Sequence, residues 1–330
     1  MKYIFSTIIF AACLLPVLTA CKGDEPDQPR TGEAVQLSFT VDDVHVKSTR
    51  AEAVPTDYYD AGNLNKVAII LKQSSGNDDS PGNPNFNYAP AQWEKKSNNT
   101  WGAIDTDPKN LLLWKTGSAT DTHKVLSFIA YAPHATDKVT TEGNYDNFRI
   151  ADDQTLAANR LASDLVFYQE KTGQDGTITV NPATAINLQH KMCRLSVTLT
   201  ARNEFGANGV SVSKTSVKGV LPSYSKGAAT TTIFSDETET ILGEKSSTRA
   251  FIFAPGTQTL TLEIEATDLV ANKMHTYILL LDKKEFTSGS QYNLTVYLGK
   301  DKVALDLAGI TITPWKKWEP QNGDENLETD

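Results

Sequence analysis

Few of the chain's nucleophiles and metal ligands are spaced to work together. Cys193 alternates with Leu195, Val197 and Leu199 in "CRLSVTLT", which puts its thiol on the inward face of a strand as a small core residue, not a nucleophile. The five histidines, His45, His123, His134, His190 and His275, show no HxH, HExxH or His-Cys spacing, so no metal site and no cofactor is expected. There is no GxSxG elbow, no Walker loop and no GxGxxG after a strand. The acidic pairs Asp24–Glu25, Asp42–Asp43 and Asp152–Asp153 are neighbours in sequence, whereas catalytic carboxylates converge from separate elements. Trp93, Trp101 and Trp114 could stack against a sugar ring, but rings of this kind mostly fill or cover the core of a β-sandwich. No catalytic residue is expected, and the chain is read as a non-enzyme.

The N-terminus carries the clearest chemistry. Lys2 precedes the apolar run "YIFSTIIFAACLLPVL", too short and too Pro-interrupted to span a membrane comfortably, and residues 1–20 read as an export signal. The "LTAC" that follows, Leu18 to Cys21, resembles the bacterial lipobox, which implies that the Cys21 thiol takes a diacylglycerol and ties the mature chain to a membrane. Residues 21–34, including "KGDEPDQPRTGE", are too polar to fold and read as a tether. Their Lys22, Asp24 and Glu25 resemble the signal that sends some lipoproteins to the outer face of the outer membrane. With Cys13 removed and Cys21 acylated, only Cys193 remains, and no intramolecular disulfide can form. The net charge of −9 includes no dense Lys/Arg block, so nucleic acid is not an expected partner.

The elements that must carry these residues are strands. Period-2 alternation is plain in "VQLSFTV" (35–41), "TLTLEIEA" (259–266) and "YNLTVYL" (292–298). Further strands are expected at 66–72, 124–132, 164–168, 176–180, 188–200, 210–218, 249–254, 276–282 and 303–313, with one helix at 152–163 capped by Asp152 or Asp153. "SFIAYAP" (127–133) reads as a core strand ended by Pro133. The polar loop 73–92 holds Asp78 and Asp79 without calcium-loop spacing and reads as solvated. Many short strands in 330 residues imply an all-β chain of two antiparallel sandwiches, 35–184 and 185–319, followed by a polar tail at 320–330.

Four blocks in this order, "VLSFIAYAPH" (125–134), "ASDLVFYQE" (162–170), "LQHKMCRLSVTLT" (188–200) and "YNLTVYLGKDKVALDLAGITITPWKKWE" (292–319), resemble the fimbrillin family. Those proteins are subunits of lipoprotein-derived pili of Bacteroides-type bacteria. "STRAE" (48–52) is similar to the Arg-containing loop after the first strand of fimbrillins, which makes the bond between Arg50 and Ala51 the candidate cleavage point. The resemblance implies two transthyretin-like β-sandwich domains, placement in the fimbrium and a role in adhesion. It also implies partnership with other fimbrillin subunits by donor-strand exchange after the first strand is removed. The tail beyond Trp318 is too polar to be a donor strand; the segment 302–318 could be one, or could be the last strand of its own domain. The alternative is a surface glycan-binding lipoprotein with an outward-facing platform at Trp93 or Trp101, and a host or glycan ligand fits either reading.

Overall fold

The computed structural model describes residues 33–41, 57–73, 90–107, 110–114, 122–123, 125–135, 137–171, 178–179, 185–243, 245–300, 303–305 and 311–314. The first strands are β1 (Glu33–Ala34), β2 (Phe39–Val41), β3 (Lys66–Gln73), β4 (Ala91–Lys95), β5 (Trp101–Ala103), β6 (Leu113–Trp114) and β7 (Thr122–His123). Next come β8 (Val125–Ala132), the helix α1 (Ala157–Ser163), β9 (Val166–Lys171), β10 (Ile178–Thr179) and β11 (Ile186–His190). One seven-stranded sheet runs in the order β2-β11-β9-β8-β3-β4-β5, antiparallel except where β2 lies parallel to β11.

Both faces of this sheet are covered, which is why its central strands read as near-continuous apolar runs instead of clean alternations. Phe128, Ala130 and Ala132 of β8 share one cluster with Val67, Ile69, Leu71, Val166 and Leu188. Ile129 and Tyr131 point the other way, into a cluster with Ala68, Ile70 and Phe167 that continues into the second half of the chain. "SFIAYAP" is thus a buried central strand.

The second half contributes β12 (Cys193–Ala201), β13 (Val210–Val220), β14 (Thr231–Ser235), β15 (Glu239–Ile241) and β16 (Ser246–Phe253). It continues with β17 (Gly256–Asp268), β18 (Lys273–Phe286), β19 (Ser290–Leu298), β20 (Val303–Leu305) and β21 (Thr311–Pro314). One sheet runs β16-β12-β19-β20, with β21 also on β19; the other runs β14-β13-β17-β18, with β15 also on β13. Leu195, Val197, Leu294 and Val296 of the first meet Val212, Leu262, Ile264 and Leu279 of the second in one buried cluster. The alternation is clearest in β17, where every second side chain from Gln258 to Asp268 is buried and those between are at least partly exposed.

Five details differ from the sequence expectation, and the first is that only Phe39–Val41 of the strand expected at 35–41 forms strand. The strand expected at 188–200 is two, because the Lys191 N–H donates to Leu165 O and Met192 O accepts from the Gly289 N–H, turning the chain from one sheet into the next. The helix is shorter than 152–163 and has no side-chain cap. Residues 152–154 are instead held extended by backbone bonds between Phe234 and both Asp152 and Gln154, while the Gln154 side chain donates to Ile252 O and accepts from Ile252 N–H at 2.7 Å each. Asp153 accepts the Thr155 N–H at 2.9 Å in a local turn. Within 303–313 the described parts, β20 and β21, pair with β19 in registers that differ by three residues, and Glu33 and Ala34, expected in the tether, pair with Trp114 and Leu113.

Candidate functional site

The segment 35–41, which ends in β2, is apolar on one side only, and the fold uses that side. Val35, Leu37, Phe39 and Val41 are 2 to 7 % exposed, whereas Gln36 between them is exposed. Alternation at period 2 sends the four side chains into a cluster with Leu188, Trp101, Leu112 and Val166. Phe39 meets Trp101 edge to face, with centroids 5.1 Å apart and planes at 80°. Burial of four such side chains contributes roughly 6–12 kcal/mol, an upper figure because the unfolded chain already hides part of that surface.

The backbone of the same strand is held lightly. It forms one edge of the seven-stranded sheet, with three parallel pairs, Phe39 with Ile186, Thr40 with Asn187 and Val41 with Leu188. The Ile186 N–H donates to Ser38 O at 2.8 Å, and the Val35 N–H donates to Leu112 O at 3.1 Å. Side-chain burial, not the ladder, therefore holds the strand. A segment of this kind leaves behind an apolar groove and a row of unpaired backbone groups when it is removed.

The chain downstream is anchored where the two sheet systems meet. Asp57 Oδ2 accepts from the Arg194 guanidinium at 2.9 Å and lies 3.5 Å from Arg160 Nε. Arg194 also donates to Gln291 Oε1 at 2.9 Å and stacks over the Tyr58 ring at 4.7 Å. The fully buried Asp164 carboxylate accepts the Tyr59 N–H at 2.8 Å and pairs with His190 Nδ1 at 2.9 Å. Burial, then the Asp164 charge, pushes the Tyr59 hydroxyl far above the usual tyrosine range. Asp60 Oδ1 receives the N–H groups of Gly62 and Asn63 at 2.8 Å. These groups lie far apart in sequence, Asp57 and Arg194 by 137 residues, and no local spacing advertises them.

The other residues singled out in the sequence fall as follows. Cys193 is buried, its Sγ donating to Thr287 O at 3.1 Å, and burial raises its pKa well above the usual thiol range. Trp93 and Trp101 are buried, and the Trp93 indole N–H donates to Asn110 O at 2.9 Å, so neither ring presents an outward platform for a glycan. Among the described residues no group of three or more His, Cys, Asp or Glu could hold a metal ion. β20 pairs Leu305 with Val296, and β21 pairs Ile312 with Tyr292, so both occupy an edge of their own sheet. Cys21, Arg50, Ala51, most of the loop 73–92 and the tail 320–330 lie outside the described residues.

A family model described as fimbrillin-like matches residues 49–315, which takes in β3 to β21 but not β1 and β2. The chain belongs to the fimbrillin-like family. Among solved structures it is similar to a protein from Bacteroides ovatus described as a candidate for cell adhesion, with 15% identity and a TM-score of 0.58 over 88% of this chain and 100% of that one. It is also similar to a fimbrial protein from Bacteroides vulgatus, at 15% identity and TM-score 0.45 over 76% and 93% of the two chains. For the tip fimbrial protein Mfa3 from Porphyromonas gingivalis the figures are 8%, 0.43, 86% and 99%. Among curated proteins none matches. The fimbrillin-like family is one of structural fimbrial subunits and not of enzymes, and it implies a place in the fimbrium at the cell surface.

Proposed function

We propose that this fimbrial subunit is exported as a lipoprotein on Cys21, anchored in the outer membrane, and polymerised with other fimbrillin subunits by donor-strand exchange. In this reading a cut between Arg50 and Ala51 releases the lipid and residues 33–41, with β1 and β2, in one fragment. The reading keeps an N-terminal domain at 35–184 and a C-terminal one at 185–319, with β11 joining the sheet of the first, and the groove vacated there receives a strand from a neighbouring copy. The donor is the segment carrying β20 and β21, which would exchange pairing with its own β19 for pairing in the neighbour.

The observation that carries the proposal is the imbalance in residues 33–41: four buried apolar side chains on a backbone held by three parallel pairs with β11 and two antiparallel pairs with β6. Such a strand contributes much to the fold yet can be replaced whole by any strand of the same alternation. The anchors of Asp57 and Tyr59 fit the same reading, since they hold the chain just downstream of the cut when everything before it departs. Purified chain from Lys22 onward, treated with an Arg-specific protease, should show Ala51 as its new N-terminus and form a ladder of oligomers on an unboiled denaturing gel. Arg50→Ala should abolish both. A clipped chain that stays monomeric at high concentration would contradict the exchange step.

A further inference from the structure

β18 is the outermost strand of its sheet and carries apolar side chains on both faces. Tyr277, Leu279 and Leu281 point into the core, while Met274, Ile278 and Leu280 point outward at 64%, 63% and 63% exposure. Its ladder with β17 is unbroken from Lys273 to Leu281, opposite Asp268 to Leu260, and shifts only beyond that point. Among the described residues no strand pairs with its free side. Edge strands are normally blunted by charges, proline or bulges. Between residues 273 and 281 there is no proline and no carboxylate, and the outward set is Met274, Thr276, Ile278 and Leu280.

We infer that this edge pairs with β18 of a second copy, antiparallel about a two-fold axis at Tyr277, as a lateral contact separate from strand exchange. A strand is the one partner that satisfies an open ladder and covers the side chains beside it. A second copy supplies the matching pattern: in this register Met274 faces Leu280 and Thr276 faces Ile278, each twice, in an isologous contact. Charge favours this face for contact between copies. The chain carries a net −9 that repels copies generally, yet the pairing stretch holds only Lys273 and His275 as ionisable cationic groups, facing Leu281 and Leu279 of the other copy. The nearest carboxylates on that face, Glu263 and Glu265 of β17, sit one strand behind, opposite Ile278 and Thr276 of their own copy.

The size of the contact sets its strength. Nine residues at about 3.4 Å and a sheet about 10 Å thick give an edge on the order of 300 Å² per copy. A stable pair of proteins needs about 800 Å² per partner. A single β18 pair is therefore weak, and it gains strength where copies are repeated along two filaments lying side by side.

The test uses the chain from Lys22 onward with Arg50→Ala, so that cleavage-driven exchange does not contribute, followed by sedimentation velocity from about 10 μM to about 1 mM. The wild-type edge should show a reversible monomer–dimer equilibrium in that range. Ile278→Lys with Leu280→Lys should weaken it by about tenfold or more, as should Thr276→Lys alone, with unchanged circular dichroism, because each lysine would replace an uncharged contact with the other copy and like charges would lie on the diagonal across the axis. For the register, Thr276→Cys and Ile278→Cys chains mixed under mild oxidant should form the mixed disulfide faster than either homodimer; the buried Cys193 does not compete. A chain that stays monomeric to about 1 mM, or lysine variants that associate as the wild type does, would overturn the contact. Faster homodimer cross-linking would overturn the register. None of these results bears on cleavage or lipid attachment.

Discussion

Shortening Phe39 to alanine measures what the first strand contributes before any cut. The ring is 7% exposed and packs edge to face on Trp101 at 5.1 Å, so Phe39→Ala removes a core aromatic and leaves its cavity. Such changes cost about 3–5 kcal/mol, with roughly 0.5–1.5 kcal/mol of that from the ring pair. At about 2–4 °C per kcal/mol for a unit of this size, melting of the uncut chain should fall by roughly 6–20 °C. Differential scanning calorimetry and urea titration of the uncut chain check this. The same variant, cut after Arg50 and assembled, should melt as the wild type does, because the account has residue 39 gone from the folded part. A loss below about 1 kcal/mol in the uncut chain would refute the burial argument, since it would leave a fully packed aromatic contributing almost nothing. A deficit that survives cutting and assembly would refute the departure of the strand.

Three further expectations concern other residues. Cys21→Ala should move the protein from the detergent to the aqueous phase on fractionation; unchanged partitioning would remove the lipid from the account. Cys193, buried and with its thiol pKa raised by that burial, should react with a thiol reagent only slowly in the native chain and quickly in denaturant, and fast native labelling would contradict its inward phase. Glu239 is held below the usual glutamate range by hydrogen bonds from the Ser247 hydroxyl and the Arg249 guanidinium. Its contribution, small because the side chain is 45% exposed, is complete above the unfolded-state value near 4.3 and is lost as pH falls through the lower folded value. Urea midpoints of the wild type and Glu239→Gln should therefore differ at neutral pH and converge as pH drops toward about 3.

What the sequence disclosed depended on how local the cause was. The inward face of "VQLSFTV" was legible because burial on one side imposes period 2, although only Phe39–Val41 pairs as strand, and the all-β class came from many such runs. The break at Lys191 and Met192 was not, because no glycine or proline marks it; the bonds that bend the chain there come from Leu165 and Gly289. Asp153 looks like a helix cap, yet backbone pairing with Phe234 holds its segment extended, a case of tertiary contact overriding local preference. β4 and β14 escaped notice because "AQWEK" and "TTIFS" each bury only alternate residues around a single large side chain, Trp93 and Ile233. The anchor joining Asp57 to Arg194 and Tyr59 to Asp164 could not be read at all, since each pair is brought together only by the finished fold.

Electron microscopy of cells expressing the chain, labelled with antibody against its C-terminal half, tests the central claim most directly. The account predicts label along filaments in the wild type and label confined to the cell surface, without filaments, when Arg50 is replaced by alanine. Wild-type label that never follows filaments, or filaments that form unchanged in Arg50→Ala, would contradict it.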